Sequence, residues 1–359
     1  MNLWSDSRGA VSIVVAFVVA GGLLMGLLAM VVDGGRAFNE RRLVQNGADA
    51  AVLAVAQECA LNPGSCDSQR VLERAGELAN LNAGPDGVTA LVELCGSGDL
   101  GACRALSAHM WECQPPDPYP NFARVHTATL EQDGAGILPP IFSRAIGVDG
   151  TGLWACAQAT WGSARSVSIT FPIALSACDY QSDTAAVIEI FKPPTFVPGQ
   201  GPTCTIVDSD GNEQTLRDLV NGFFYVQLDA NRKECETPVE VSIGDILDRS
   251  ENIVQLCGSR YEQALQRLIG RDSALPIFDR ISPGGLGTAQ MRVASFVSFR
   301  LEGYRLGGGR EFGSPPGGWP TQCRANNRCL YGIFGRAVIG GGVDPGAPNL
   351  GLQSVQLIP

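Results

Sequence analysis

Twelve cysteines and two histidines have the widest chemical reach in this chain, and their spacing limits what they can do. The cysteines stand at 59, 66, 95, 103, 113, 156, 178, 204, 235, 257, 323 and 329. Structural zinc needs cysteines two to four residues apart, or histidines at ligand spacing. The tightest pairs here, Cys59/Cys66, Cys95/Cys103 and Cys323/Cys329, are all wider, and the histidines are the isolated His109 and His126. An even count, spread through the body and absent from the apolar N-terminus, reads instead as disulfides formed in an oxidising compartment. Connectivity does not follow from sequence. The sequence-local pairs are the disulfide candidates, Cys323 with Cys329 across the polar turn 324–328 first among them.

Other chemistry finds little support, and no metal or cofactor is expected. Asp208-Ser-Asp-Gly-Asn-Glu213 has the look of a calcium loop, but an EF-hand places glycine sixth and glutamate twelfth, and here glycine is fourth. It reads as a turn between strands. The triplets Gly307-Gly-Gly and Gly340-Gly-Gly lack the Lys-Ser/Thr that completes a phosphate cradle. Neither histidine lies close in sequence to a candidate nucleophile, so a catalytic triad is unsupported. The expectation is a non-enzymatic protein with no evident small-molecule substrate.

The element that positions everything else is at the N-terminus. Ala10–Val32 is 23 residues without a charge. As a helix it spans about 35 Å, enough for a hydrocarbon core of roughly 30 Å. A cleaved signal peptide is the competing reading. Its apolar region is normally shorter and is followed by a small-x-small cleavage site, whereas here a helical pattern continues past the apolar run. A retained anchor is therefore expected, with the cysteines together on one side. Orientation is a conflict of signals. Arg36, Arg41 and Arg42 follow the span while only Arg8 precedes it, which favours a cytoplasmic body. The cysteines favour an extracytoplasmic one, and Asp33 and Glu40 offset the arginines. The expectation is a single-pass cell-membrane protein with N-terminus inside and body outside.

Past the span, Phe38, Val44, Ala48, Ala51, Val52 and Val55 recur at helical steps. The helix is expected to continue to Asn62-Pro-Gly64, with the Gly34-Gly35 pair as the place where it would bend. Ala48, Ala51, Val52 and Val55 are candidate packing positions, either on the chain's own body or on a neighbouring subunit. Gly22 and Gly26 form a G-x-x-x-G step that lets a second helix approach. Asp33, at the outer boundary, reads as a solvated or helix-turn residue.

The fold class read from the pattern is α+β: a long transmembrane helix continuing into an extracytoplasmic helix, then an α+β head and a β-rich C-terminal region. The domain boundaries expected are 1–9 cytoplasmic tail, 10–32 transmembrane, 33–60 juxtamembrane helix, 61–165 head and 166–359 β-rich disulfide-containing domain. The head holds a helix at 69–81 capped by Asp67 or Ser68, strands at 87–94, 122–130 and 152–161, and a short helix at 137–146. Strands in the last region are expected at 167–175, 185–191, 223–228, 239–243, 291–301, 331–338 and 352–358, with one helix at 260–269. Net charge is −10 with pI near 4.8, and Lys192 and Lys233 are the only lysines, so binding nucleic acid through a basic surface is excluded.

Arg8-Gly-Ala-Val11, the span, Val32-Asp-Gly-Gly-Arg36 and Arg41-Arg-Leu-Val-Gln-Asn-Gly-Ala-Asp-Ala-Ala51 together resemble the N-terminal signature of the TadE/TadG-like proteins of tight-adherence (Flp-type) pili. Gly47 stands where that pattern usually has alanine. The segments 155–162 and 296–304 are similar to those of larger actinobacterial TadG-related proteins. The resemblance implies a structural pilus component whose partners are the membrane and other pilin-like or assembly subunits. It does not bring a von Willebrand A module, whose D-x-S-x-S motif is missing. Cleavage after Gly9 would leave Val14 where prepilins carry glutamate, which favours an uncleaved envelope component or minor subunit over a major pilin. The alternative is a membrane-tethered binding or adhesion module unrelated to pili.

Overall fold

The uncharged N-terminal run is helical in the computed structural model, and the helix continues to Leu61. Residues described are 7–66, 69–82, 88–104, 113, 119–130, 140–147, 150, 152–180, 185–189, 203–208, 211–217, 219, 221–228, 235, 238–250, 257, 261–283, 289–306, 310–323 and 327–358. Helix α1 covers Ser7–Leu28, a π-helical turn Ala29–Asp33, and helix α2 Gly34–Leu61. The expected irregularity therefore falls one turn before the glycine pair. Gly34 itself keeps helical angles (φ −61°, ψ −44°). A π turn adds a residue without losing the hydrogen-bond ladder, so it changes which face points inward while the rod continues.

The chain forms two compact units, one of residues 1–59, 64–159 and 357–359, the other of 60–63 and 160–356. The first is α+β. After α2, Cys59 and Cys66 are bonded across the 3₁₀ turn Pro63–Ser65, and helix α3 follows at Gln69–Leu81. Its buried residues Val71, Ala75 and Ala79 are four apart, one stripe of a helix. Strand β1 (Val88–Gly96) pairs antiparallel with β2 (Phe122–Leu130), and β2 lies beside β3 (Trp154–Ala164). The residues proposed as capping α3, Asp67 and Ser68, lie outside those described. Of the short helix expected at 137–146, residues 137–139 also lie outside those described; residues 140–142 are not helical, and a 3₁₀ helix covers Ser143–Ile146.

The second unit is β-rich. Five strands close on themselves in the order β5 (Ile173–Ser176), β9 (Phe223–Gln227), β11 (Ile246–Ser250), β13 (Ala289–Leu306), β12 (Asp272–Pro283) and back to β5. The β12–β5 contact is the parallel one. Closure removes the open edges that an exposed sheet would present. Phe171, Phe223, Phe224, Phe278, Phe296 and Phe299 are all within 1% of full burial here. Strands β15 (Cys329–Gly335) and β6 (Ala185–Glu189) extend the sheet beyond β13, and helix α4 (Tyr261–Leu268) precedes β12. In the same unit β4 (Ser166–Ile169) pairs with β10 (Val239–Ser242), and β7 (Thr203–Val207) forms a hairpin with β8 (Glu213–Arg217). Strand β14 (Arg310–Phe312) adds to β13. Strands β16 (Ala337–Gly340) and β18 (Leu352–Ile358) pair in parallel, and β17 (Val343–Asp344) lies against the end of β3.

Some strands differ from the sequence expectation. The single strand expected at 167–175 is two, β4 and β5, interrupted before Pro172, which has no N–H for a ladder. Strand β12 lies outside the strands expected from sequence, and it holds Pro276 in its interior. Pro276 faces Phe296 on β13, and the parallel pairing to β5 begins only at Ile277, past the missing donor.

Candidate functional site

The long helix divides into two halves with opposite surroundings. Along α1 the apolar side chains are bare: Phe17 is 75% exposed, Val18 69% and Leu23 67%. Such a surface is unfavourable in water and suits lipid. Gly22 and Gly26 have open space where a Cβ would lie, so this chain packs nothing against them. On α2, by contrast, Val44, Ala48, Ala51, Val52, Val55 and Ala56 are completely buried within the chain. Their spacing of three and four places them on one stripe, and small residues along it allow close approach.

Polar bonds fix that stripe to the first unit. Thr127 Oγ1 on β2 donates to the Val44 carbonyl (3.1 Å) and Thr129 Oγ1 donates to the Glu40 carboxylate (3.2 Å). Gln45 Nε2 donates to the Cys156 carbonyl on β3 (3.0 Å) and to Asp49 (2.9 Å). Glu40, read from sequence only as offsetting the neighbouring arginines, is buried and begins the stripe. A buried carboxylate costs free energy unless a donor meets it, and the Thr129 hydroxyl does so. Gly47 lies on the α3 side, where a Cβ would come within 2.7 Å of the Ala79 carbonyl oxygen.

Asp33, read from sequence as a solvated or helix-turn residue, does end the π-helical turn, and its carboxylate is bonded to protein. Its carboxylate accepts from the backbone N–H groups of Ile141 (2.9 Å), Phe142 (3.0 Å) and Ser143 (2.7 Å), and from the Ser143 hydroxyl (2.5 Å). Successive N–H groups at the start of a 3₁₀ turn form an anion-binding nest, and Asp33 fills this one from the end of the π turn. Nothing in the sequence links positions more than a hundred residues apart, so this contact was invisible there.

The structure joins every cysteine in a disulfide: Cys59–Cys66, Cys95–Cys103 and Cys113–Cys156 in the first unit, Cys178–Cys204, Cys235–Cys257 and Cys323–Cys329 in the second. The Cys113–Cys156 bridge has a neighbour that local spacing could not reveal. Cys113 Sγ, Cys156 Sγ and a ring nitrogen of His126 lie within 4.8 Å of one another. Glu93, opposite His126 in the β1–β2 register, places Oε2 3.3 Å from its Nδ1. The sulfurs are bonded to each other, so two thiolate ligands would exist only after reduction. His109 lies outside the described residues.

Asp208 and Gly211 lie between the paired strands β7 and β8, with Gly211 N–H donating to the Asp208 carbonyl (3.0 Å). Asp208 accepts from Asn212 N (2.8 Å) and Nδ2 (3.1 Å), and Gly211 takes φ +84° between β7 and β8. Asp208, Asn212 and Gln214 line a polar cleft of about 560 Å³ in the second unit, with Asp344 and the paired Asp279 and Arg292.

A bare apolar helix, long enough to cross a membrane, leads into a half-buried one on an α+β unit held by disulfides. Residues 9–58 match the family model described as "Putative Flp pilus-assembly TadE/G-like". The chain thus carries a TadE/G-like pilus-assembly segment at its N-terminus, which supports a pilus-related role. That family is structural, and the match suggests contact with the membrane and with other pilus components. Neither the curated proteins nor the solved structures include a match to the chain.

Proposed function

We propose that this protein is a single-pass, outward-facing component of a Flp-type pilus or related secretion apparatus, acting as a minor pilin-like subunit or envelope anchor. The carrying observation is the two-part helix. From Val11 to Leu28 its lower half exposes only uncharged side chains, while one stripe of its upper half is buried within the chain and bonded to β2 and β3. The lower half is held in the bilayer while the upper half fixes the body to it. The disulfides support an extracytoplasmic body, with the N-terminus in the cytoplasm.

Protease treatment of intact cells, with and without lysis, tests the placement, and surface pili counted in a deletion strain test the role. Degradation of the body in intact cells and loss of pili are expected. A body degraded only after lysis would refute the orientation, and unaffected pili would refute the role. The cleft beside Asp208 and Asp344 favours a second reading, a tethered module that binds a hydroxylated or cationic ligand independently of pili. A deletion strain that keeps its pili but loses surface attachment would favour it.

A further inference from the structure

We infer that the first unit rests on the membrane surface and makes a second lipid contact there through Pro140–Phe142, beside the anchor helix. The inference rests on the membrane-anchor reading of α1. A hydrocarbon core of about 30 Å takes roughly 20 helical residues, so counted from Ala10 it ends near Ala29. Asp33 then stands about 6 Å further out, within a headgroup layer roughly 5–7 Å deep.

Two observations place protein at that level. The Asp33 carboxylate holds the backbone of Ile141, Phe142 and Ser143 by direct hydrogen bonds, so this segment cannot lie far from the depth of Asp33. One turn lower, Ala29 is only 8% exposed, while its neighbours Leu28 and Met30 are 41% and 77% exposed. The π turn carrying Ala29 packs against the 3₁₀ helix Ser143–Ile146. The first unit therefore reaches down to the last turn of the apolar span.

What this contact presents outward is apolar. Ile141 is 55% exposed, and on the helix below it Met30 and Val31 are 77% and 70% exposed. In water these surfaces would be a cost, whereas at the bilayer boundary they are buried. The occupant is lipid because Asp33, which holds Ile141 and Phe142, closes the turn that directly follows the bare, lipid-facing surface of α1. The same geometry explains how a carboxylate is tolerated there: protein N–H groups replace the water lost on its membrane side. Two attachments would hold the first unit against the membrane, where a plain tether would let it swing.

A photoreactive diazirine amino acid, placed at single positions in the full-length protein in phosphatidylethanolamine/phosphatidylglycerol vesicles, tests this by mass spectrometry of lipid adducts. Position 17 reports the anchor, position 141 the proposed contact, and position 81 is an apolar control. Leu81 is 76% exposed but follows Ala79, which packs on Gly47, ~21 Å beyond Asp33 along the helix. Adducts are expected at 17 and 141, with at least a tenfold lower yield at 81. Adding Asp33→Ala should lower the yield at 141 several-fold and leave 17 unchanged. Adducts at 17 with 141 no higher than 81 would overturn the inference and leave the anchor intact. Absence at 17 would overturn the anchor reading and this inference with it. An undiminished yield at 141 in Asp33→Ala would overturn the role given to Asp33.

Discussion

Replacing Gly47 by alanine would restore the residue usual in the resembling pattern and should nevertheless destabilise this protein. In an ordinary helix interior Gly→Ala gains about 1 kcal/mol, because alanine loses less backbone entropy. At Gly47 the new methyl would sit 2.7 Å from the Ala79 carbonyl oxygen and 3.3 Å from its Cα. Both are backbone atoms, so no side chain can rotate away, and α3 must retreat by roughly half an ångström. Overpacking of this kind costs about 1–3 kcal/mol. The net expectation is a loss of about 1 kcal/mol, or a fall of about 2–4 °C in the first unit's melting temperature. Gly76, inside α3, is the internal control, since no atom lies within 4 Å of its would-be Cβ. Gly76→Ala should gain about 0.5–1 kcal/mol, so the two substitutions should differ in sign. Urea unfolding followed by circular dichroism at 222 nm would read both. If Gly47→Ala stabilised as much as Gly76→Ala, the close α2–α3 approach would be refuted.

Burial pushes the Asp179 carboxyl up from 3.8 to about 6, against the opposing hydrogen bond from Gly222 N–H. The folded state thus binds a proton that the unfolded state has lost, so stability falls as pH rises from about 4 to about 6 and is then flat. Asp179→Asn keeps an acceptor for Gly222 and cannot ionise; it should exceed wild type by up to ~3 kcal/mol at pH 7.5 and converge with it near pH 4, as pH-resolved urea unfolding would show. Among the disulfides, Cys113–Cys156 spans 43 residues and Cys323–Cys329 only 6. Chain-entropy estimates give about 4 and about 2 kcal/mol, so paired Cys→Ser replacement should cost more at the first bridge, again read by urea unfolding.

What sequence revealed and what it hid divide along range. Helix α3 and strand β2 occupy the expected 69–81 and 122–130, because each depends on side-chain periodicity within one element. The long apolar helix was equally plain, being a matter of unbroken composition. Strand β12 carries Pro276, a local signal against a central strand, and the pairing that tolerates it is long-range: β5 joins only from Ile277 on. The Asp33 nest, the Glu93–His126 pair and the approach of His126 to the Cys113–Cys156 bridge are long-range meetings. No spacing rule reaches across them, so residues that looked solvated or isolated become the joints of the first unit.

The buried stripe also bears on where other subunits can attach. Val44, Ala48, Ala51, Val52 and Val55 are fully covered by the chain itself, so a partner could reach them only by displacing that packing. Each buried valine is worth about 1.5–3 kcal/mol, and displacing three would cost more than a helix–helix contact in lipid typically returns. Intermolecular helix packing should therefore be confined to α1, where Gly22 and Gly26 leave the backbone open. Photoreactive residues introduced one at a time from 15 to 55 in assembling cells would test this. Crosslinks to other pilus subunits should recur every three or four positions through α1, including 22 and 26, and be missing at 48, 51, 52 and 55. Crosslinks at 52 and 55 in a strain that still assembles pili would show that the first unit lifts off α2, and that the upper half of the helix is shared with a neighbour after all.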